Sequence, residues 1–290
     1  MTAIELFHYD PRLPVVPGRL GSRLPWRRPL SNFGDLLGPV VVRGLLARHG
    51  VHLPAQAPPA RADGPPRQRL LSIGSVLHYA RDGDVVWGSG RNAKMEDALH
   101  RFTRLDVRAV RGPLTRDFLL ARGVPCPPVY GDPGLLVPLV LPELVALSRQ
   151  RPHPLTIVPN YNDLGWMPPS DALLDPRSPW MDCLRRIAQS ALVVATSLHA
   201  VVVAEALGVP ARLVRSRAEH PFKYQDYYLG TGRSDVRIAD SLAQALRWGG
   251  EPPPSPAIGP LLDSFPHELW TAAAAAPPGG SVHLGAEGAA

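Results

Sequence analysis

The residues best placed to do chemistry are Ala195-Thr196-Ser197-Leu198-His199, a polar interruption of the otherwise apolar stretch Val193–Ala206. An apolar run of that length reads as a buried strand feeding a buried helix. The interruption falls where open parallel sheets collect ligands, at the carboxyl end of a strand beside a helix N-terminus. Thr196 or Ser197 can cap that helix and leave its first amides, with Leu198 in the same turn, for an anion. His199 then stands at the mouth, as a group whose charge changes near neutrality. A lone histidine is commonly structural, but this one sits at a strand-to-helix switch, which favours a working role.

Five other segments could join it. Ser31-Asn32-Phe33-Gly34-Asp35 precedes a helix, either as a ligand loop or as a cap with Asp35 at the N-cap and Gly34 in a tight turn. Trp87-Gly88-Ser89-Gly90 follows a strand and is equally an ordinary turn or a backbone cradle for a phosphate. Arg111 lies between a strand and a helix, suited to grip a carboxylate or phosphate with two parallel hydrogen bonds or to form a surface ion pair. Tyr130-Gly131-Asp132-Pro133 adds a carboxylate in an extended or turn conformation. Later, His220–Tyr228 brings together aromatic residues, Asp226 and Lys223, as a packed aromatic loop or as part of a site. Of the 31 basic residues only Lys94 and Lys223 are lysines, so a chain that writes arginine by default has kept the compact ammonium at two positions.

Positioning these groups requires alternating strands and helices. Ile4–Tyr9, Leu70–Ile73, Asp84–Trp87 and Asp106–Val110 read as strands, with helices over Asp35–Arg48 and Pro113–Arg122, the latter opened by proline and followed by Gly123. The pattern restarts with strands at Leu155–Val158, Ala191–Ala195 and Ala211–Val214, and helices at Pro179–Ser190 and His199–Leu207. A last pair is expected at Val236–Ile238 and Ser241–Trp248, with a closing helix over Leu261–Ala276. The fold class is α/β, with two Rossmann-like domains over 1–145 and 146–276 divided near residues 143–154. Gln56–Gln68 reads as a surface loop, Glu251–Pro256 as a connector and 277–290 as a disordered tail.

Composition excludes several classes. The 290 residues are 45% hydrophobic and 19% charged, enough apolar material for real cores. No apolar run is long enough for a bilayer, and no secretory signal pattern opens the chain, so a soluble cytoplasmic protein is expected, with at most peripheral membrane contact. Cys126 and Cys183 form no metal or disulfide pattern. The net charge of +6 favours anionic ligands, but its scattered basic residues match no nucleic-acid-binding motif. No GxGxxG, Walker loop, HExxH or serine elbow occurs, which disfavours hydride transfer and ATP hydrolysis.

Taken in order, NFGD (Asn32–Asp35), VVWGSG (Val85–Gly90), VRGPLT (Val110–Thr115), YGDPGLL (Tyr130–Leu136), SLHAVVVAEALGVP (Ser197–Pro210) and FKYQDYY (Phe222–Tyr228) resemble the polysaccharide pyruvyl transferase family. The resemblance implies a GT-B-like pair of domains facing across a cleft. It also implies transfer of the enolpyruvyl unit of phosphoenolpyruvate onto two sugar hydroxyls as a cyclic ketal. By motif, Arg111, His199 and Lys223 match the family's arginine, histidine and lysine around phosphoenolpyruvate, with Ser197, Leu198, Gly88 and Ser89 beside them. Asn32, Asp35, Asp132 and Asn160 then face the acceptor. At Pro159-Asn160-Tyr161 the family pattern has histidine after the proline, so Asn160 takes a polar contact there or this branch binds a different acceptor. His199 is expected to act as general acid, tuned near neutrality, and no metal or other cofactor is required. Phosphoenolpyruvate and a sugar that is lipid-linked, polymeric or a small metabolite are the expected partners. Two alternatives remain: a GT-B glycosyltransferase using a nucleotide sugar, and a non-catalytic saccharide-binding relative.

Overall fold

Short runs of Val, Leu and Ile buried on both faces make parallel strands, because only a sheet covered on each side can use them. The computed structural model describes residues 4–15, 23, 25–54, 67–255 and 257–271. β1 (Glu5–Phe7), β4 (Arg69–Leu71), β5 (Val85–Trp87) and β6 (Asp106–Ala109) form one sheet in that order, parallel throughout. β7 (Thr156–Val158), β8 (Val193–Ala195) and β9 (Ala211–Leu213) form a second parallel sheet. A small antiparallel ribbon pairs β2 (Arg12–Pro14) with β3 (Arg27–Pro29).

Helices link the strands. α1 (Phe33–Arg48) buries Phe33, Leu37, Val41, Val42, Leu45 and Leu46, the 3.6-residue stripe its sequence carries. α2 (Pro113–Ala121) follows β6, α3 (Trp180–Ala188) precedes β8, and α4 (Leu198–Ala206) is buried almost all round. α5 (Phe222–Gly230) and α6 (Leu242–Trp248) follow β9. One apolar cluster joins both sheets: Phe33, Leu70, Val85 and Trp87 belong to it with Val158, Val193, Ala195 and Val202. Each Phe, Leu or Val side chain among them contributes about 1.5–3 kcal/mol by leaving water. The chain end returns to the first sheet, where Trp87 Nε1 donates to the Leu261 carbonyl (2.9 Å) and Phe265 meets the Trp87 ring edge-on.

The structure departs from expectation in four places. Helix α1 begins two residues early, so Asn32 rather than Asp35 is the N-cap residue. Val236–Ile238 is not a strand; only a single bridge, Val214 to Ala239, forms there. The His220–Tyr228 segment is mostly helix α5 rather than a loop. The closing helix is two short pieces, Gly259–Asp263 and Glu268–Thr271, separated at Pro266. The expected tail at 277–290, residues 272–276 of the closing helix, Pro256, and most of the Gln56–Gln68 loop lie outside the described residues. Among the described residues no helix is long and apolar enough to cross a membrane.

Candidate active site

Loops at the carboxyl ends of both parallel sheets converge on one cleft of about 280 Å³. The segment after β4 supplies Ser75 and Val76, that after β5 Asn92 and Lys94, and that after β6 Arg111. From the other sheet, Asn160 follows β7, Ser197, Leu198 and His199 follow β8, and Glu219 and Lys223 follow β9. The start of α1 contributes Asn32 and Asp35. The carboxyl ends of parallel strands are where open α/β sheets bind ligands.

Arg111 is not at the surface; only 1% of its side chain is exposed. Its Nε donates to Asp226 Oδ2 (3.1 Å), Nη1 to Ser75 Oγ (2.8 Å) and Nη2 to the Arg91 carbonyl (3.4 Å). Asp226 also accepts from the Thr115 amide (3.0 Å) and hydroxyl (2.6 Å), so the guanidinium is locked to a carboxylate that is itself fully hydrogen-bonded. Glycine makes the approach possible. A Cβ on Gly90 would lie 2.3 Å from Arg111 Cζ, and one on Gly112 would lie 1.8 Å from the Asp226 carbonyl oxygen.

His199 occupies the first turn of α4, behind Ser197, whose hydroxyl caps the helix by accepting from the Ala200 amide (3.4 Å). Its ring lies directly on Gly34 of α1: a Cβ there would be 2.3 Å from Nδ1. Burial pushes the imidazole down to about 3, helped by the positive charges of Lys223 and Arg111. The unliganded site therefore keeps His199 neutral, a correction to the expectation of tuning near neutrality. The group that is tuned there is Asp35, which burial raises to about 6 although Asn32 donates to its Oδ2 (2.6 Å) and Lys223 opposes the rise.

Both lysines of the chain are in the cleft, on the same carboxylate. Lys94 Nζ meets Glu219 Oε1 at 2.7 Å and Lys223 Nζ meets Oε2 at 3.1 Å. Asn162 Nδ2 also donates to Oε1 (3.0 Å). The outer rim is aromatic, with Tyr9 and Tyr79 stacked at 5.8 Å and 38% and 40% exposed.

Of the residues singled out in the sequence, Asn32, Asp35, Arg111, Asn160, Ser197, Leu198, His199 and Lys223 line the cleft. Gly88, Ser89 and Asp132 do not. Gly88 adopts φ +88° and lies against Pro133, where a Cβ would come within 2.2 Å of Cδ. The Ser89 hydroxyl donates to the Gly74 carbonyl (3.0 Å), shaping the loop that presents Ser75. Asp132 is wholly buried and caps the turn at Pro133–Leu136 by accepting from the Gly134 amide (2.9 Å), and burial raises its carboxyl to about 6.

Comparison with known proteins gives the family. The family model for polysaccharide pyruvyl transferase matches residues 66–216, just over half of the 290 residues and the stretch that holds Arg111 and His199. The chain belongs to the polysaccharide pyruvyl transferase family. The succinoglycan biosynthesis protein ExoV of Rhizobium meliloti is 32% identical over 176 residues, 56% of this chain and 53% of that protein, so the chain spans about half the length of the curated relative it matches. A crystal structure of an uncharacterized Klebsiella pneumoniae protein, 13% identical, covers 72% of this chain and 89% of its own, with a TM-score of 0.40.

In this pyruvyl transferase family member, Lys94, Glu219, Ser75 and the Tyr9–Tyr79 rim line the cleft without a sequence motif that places them there. For Lys94 a signal existed, its rarity in an arginine-rich chain. Glu219 gave none, since one acid before an aromatic segment is indistinguishable from a solvated side chain.

Proposed function

We propose that this cleft binds phosphoenolpyruvate and transfers its enolpyruvyl unit to two hydroxyls of a cell-surface or exopolysaccharide precursor as a cyclic ketal, releasing inorganic phosphate. The observation that carries the proposal is the convergence of Arg111, Lys94, Lys223, His199 and the α4 N-terminus on one partly closed space, a set that suits a ligand with a carboxylate and a phosphoryl group. Family membership supports the same reading. The two sheets then correspond to Rossmann-like halves, 1–145 on the acceptor side and 146–276 on the donor side, closing on substrate in the GT-B manner.

In this reading the first sugar hydroxyl adds to C2 of the donor while a proton goes to C3, turning the methylene into a methyl group. The C2–O bond to phosphate then breaks and the second hydroxyl closes the ketal. The two hydroxyl protons are accounted for by the new methyl hydrogen and the hydrogen phosphate released. His199 supplies the C3 proton. Burial, helped by Arg111 and Lys223, holds the imidazole neutral; the donor offsets those two cations and sets its own negative charge beside the ring, and in this reading that added charge lets His199 take up its proton with the donor. Asp35, raised to about 6, is ionised at neutral pH and basic enough to accept the acceptor's hydroxyl proton. Asn32 and Asn160 orient the acceptor, and the exposed faces of Tyr9 and Tyr79 receive the apolar face of its ring.

A thermal-shift titration with phosphoenolpyruvate beside UDP- and GDP-sugars tests the donor. Stabilisation by phosphoenolpyruvate that weakens in Arg111→Lys supports the proposal; stabilisation by a nucleotide sugar alone moves the protein to the glycosyltransferase reading.

A further inference from the structure

Three basic side chains other than histidine line the cleft, and two of them are the only lysines among 31 basic residues. They come from opposite sides, Lys94 from the loop after β5 and Lys223 from the first turn of α5, and each meets a different oxygen of Glu219. Glu219 is not a casual surface partner, because only 9% of its side chain is exposed. The segment before it is fixed by Asp163, which accepts from the Ser216 hydroxyl (2.5 Å) and the amides of Arg217 and Ala218 (3.2 Å each). The Glu219 amide in turn donates to Ser216 Oγ (2.9 Å). A carboxylate built in this way and aimed at two ammoniums does a definite job. Two cations directed at one space repel each other, and a shared anion offsets that repulsion while taking only one hydrogen bond from each.

Each ammonium has three protons. Lys223 gives one to Glu219, and Lys94 gives one to Glu219 and a long contact to the Ala218 carbonyl (3.4 Å). Among the described residues this leaves two protons on Lys223 and one on Lys94 for a ligand oxygen. Arg111, by contrast, gives three of its five N–H protons to Asp226, Ser75 and the Arg91 carbonyl, which fix its plane and leave two for a ligand. Compact ammoniums on opposite walls fit the three oxygens of a phosphoryl group better than a second planar fork.

We infer that Lys94 is a second ammonium for the phosphoryl group of the ligand, and that Glu219 is the positioning residue that holds Lys94 and Lys223 charged and side by side across the cleft. For the donor this rests on the phosphoenolpyruvate reading above; the phosphoryl assignment itself does not. The charged and titratable groups facing the pair are Glu219 before α5, Arg111 after β6, Asp35 on α1 and His199 on α4. Burial draws the Lys223 ammonium down and Glu219 pulls it back up, so removal of the carboxylate must make Lys223 lose its proton at lower pH.

The test is calorimetric titration of the full chain with phosphoenolpyruvate, inorganic phosphate and pyruvate, for wild type, Lys94→Ala, Lys94→Arg and Glu219→Gln. Lys94→Ala should weaken phosphoenolpyruvate and phosphate at least tenfold and leave pyruvate, which has no phosphoryl group, within twofold. Lys94→Arg should recover less than half of the lost binding free energy. Glu219→Gln should weaken both phosphoryl ligands and move the alkaline limb of their affinity to lower pH, a shift that loss of packing alone would not give. Phosphoryl binding within twofold of wild type in Lys94→Ala, or an unmoved alkaline limb in Glu219→Gln, overturns the inference. If wild type binds phosphate but not phosphoenolpyruvate, and Lys94→Ala abolishes that binding, the donor reading falls and the ammonium pair stands. If wild type binds neither, both fall.

Discussion

Gly34→Ala is the smallest change that separates the proposed chemistry from the fold. Gly34 lies within helix α1, where alanine is the better helix former by about 1 kcal/mol, so the backbone has no objection to a methyl group. The objection comes from α4. The new Cβ would stand 2.3 Å from His199 Nδ1, 2.8 Å from Cγ and 2.9 Å from Cβ. Carbon contacts settle near about 3.5 Å, so the imidazole must retreat by roughly 1 Å. Because its Cβ is also too close, rotation about χ1 alone does not clear the clash. Overpacking costs about 1–3 kcal/mol, which the helix preference partly offsets, so the variant should unfold cooperatively and within about 2 kcal/mol of wild type. A displacement of about 1 Å at a proton-transfer group costs on the order of 100-fold in rate. The assay is phosphate release from phosphoenolpyruvate with a saccharide acceptor, beside chemical denaturation. Turnover within threefold of wild type in a folded Gly34→Ala protein would refute the claim that His199 must sit where it does.

Three further outcomes follow from the site. Arg111→Ala strands the buried Asp226 carboxylate and should cost about 3–5 kcal/mol of stability, whereas the double variant Arg111→Met with Asp226→Leu should recover much of it without recovering activity, as paired denaturation curves and rates will show. Asp35 has a folded-state pKa raised from 3.8 to about 6, so its contribution to stability is full below about pH 4 and lost as pH rises through about 6. Asp35→Asn should therefore be more stable than wild type at pH 7.5, by no more than about 3 kcal/mol, while losing turnover; in wild type the acid limb of the rate should fall near pH 6. His199 is held at about 3 without ligand, and donor binding at pH 7 should take up a proton that calorimetry in buffers of different ionisation heat detects in wild type and not in His199→Gln.

The parallel strands were legible because Val85–Trp87 and Val193–Ala195 are short apolar runs with no polar face, which suit nothing but covered sheets. Helix ends were legible where a glycine takes positive φ just beyond them, as at Gly123 (φ 75°) and Gly208 (φ 69°). The β2–β3 ribbon was not, since Arg12–Pro14 offers only Leu13 among arginine and proline and Arg27–Pro29 is two arginines and a proline, too little to show alternation. Arg111 and His199 could be found from their strand-end positions. Asp132 caps its own turn, a local pattern, but its complete burial, while Asp35 faces the cleft, comes from the packing of that turn against α1 and α4, which no local pattern encodes. The same holds for the carboxylate of Glu219, whose meaning appears only when Lys94 arrives from 125 residues away.

The most direct test is proton NMR of the full chain in deuterated water with phosphoenolpyruvate, UDP- and GDP-sugars as competing donors, and a panel of oligosaccharide acceptors. The account predicts that the donor's vinyl signals disappear as inorganic phosphate forms one for one, and that a new ketal methyl signal appears carrying a single solvent deuterium, with none formed by His199→Gln. Vinyl signals that persist while a nucleotide sugar is consumed and a new glycosidic proton grows in would contradict it.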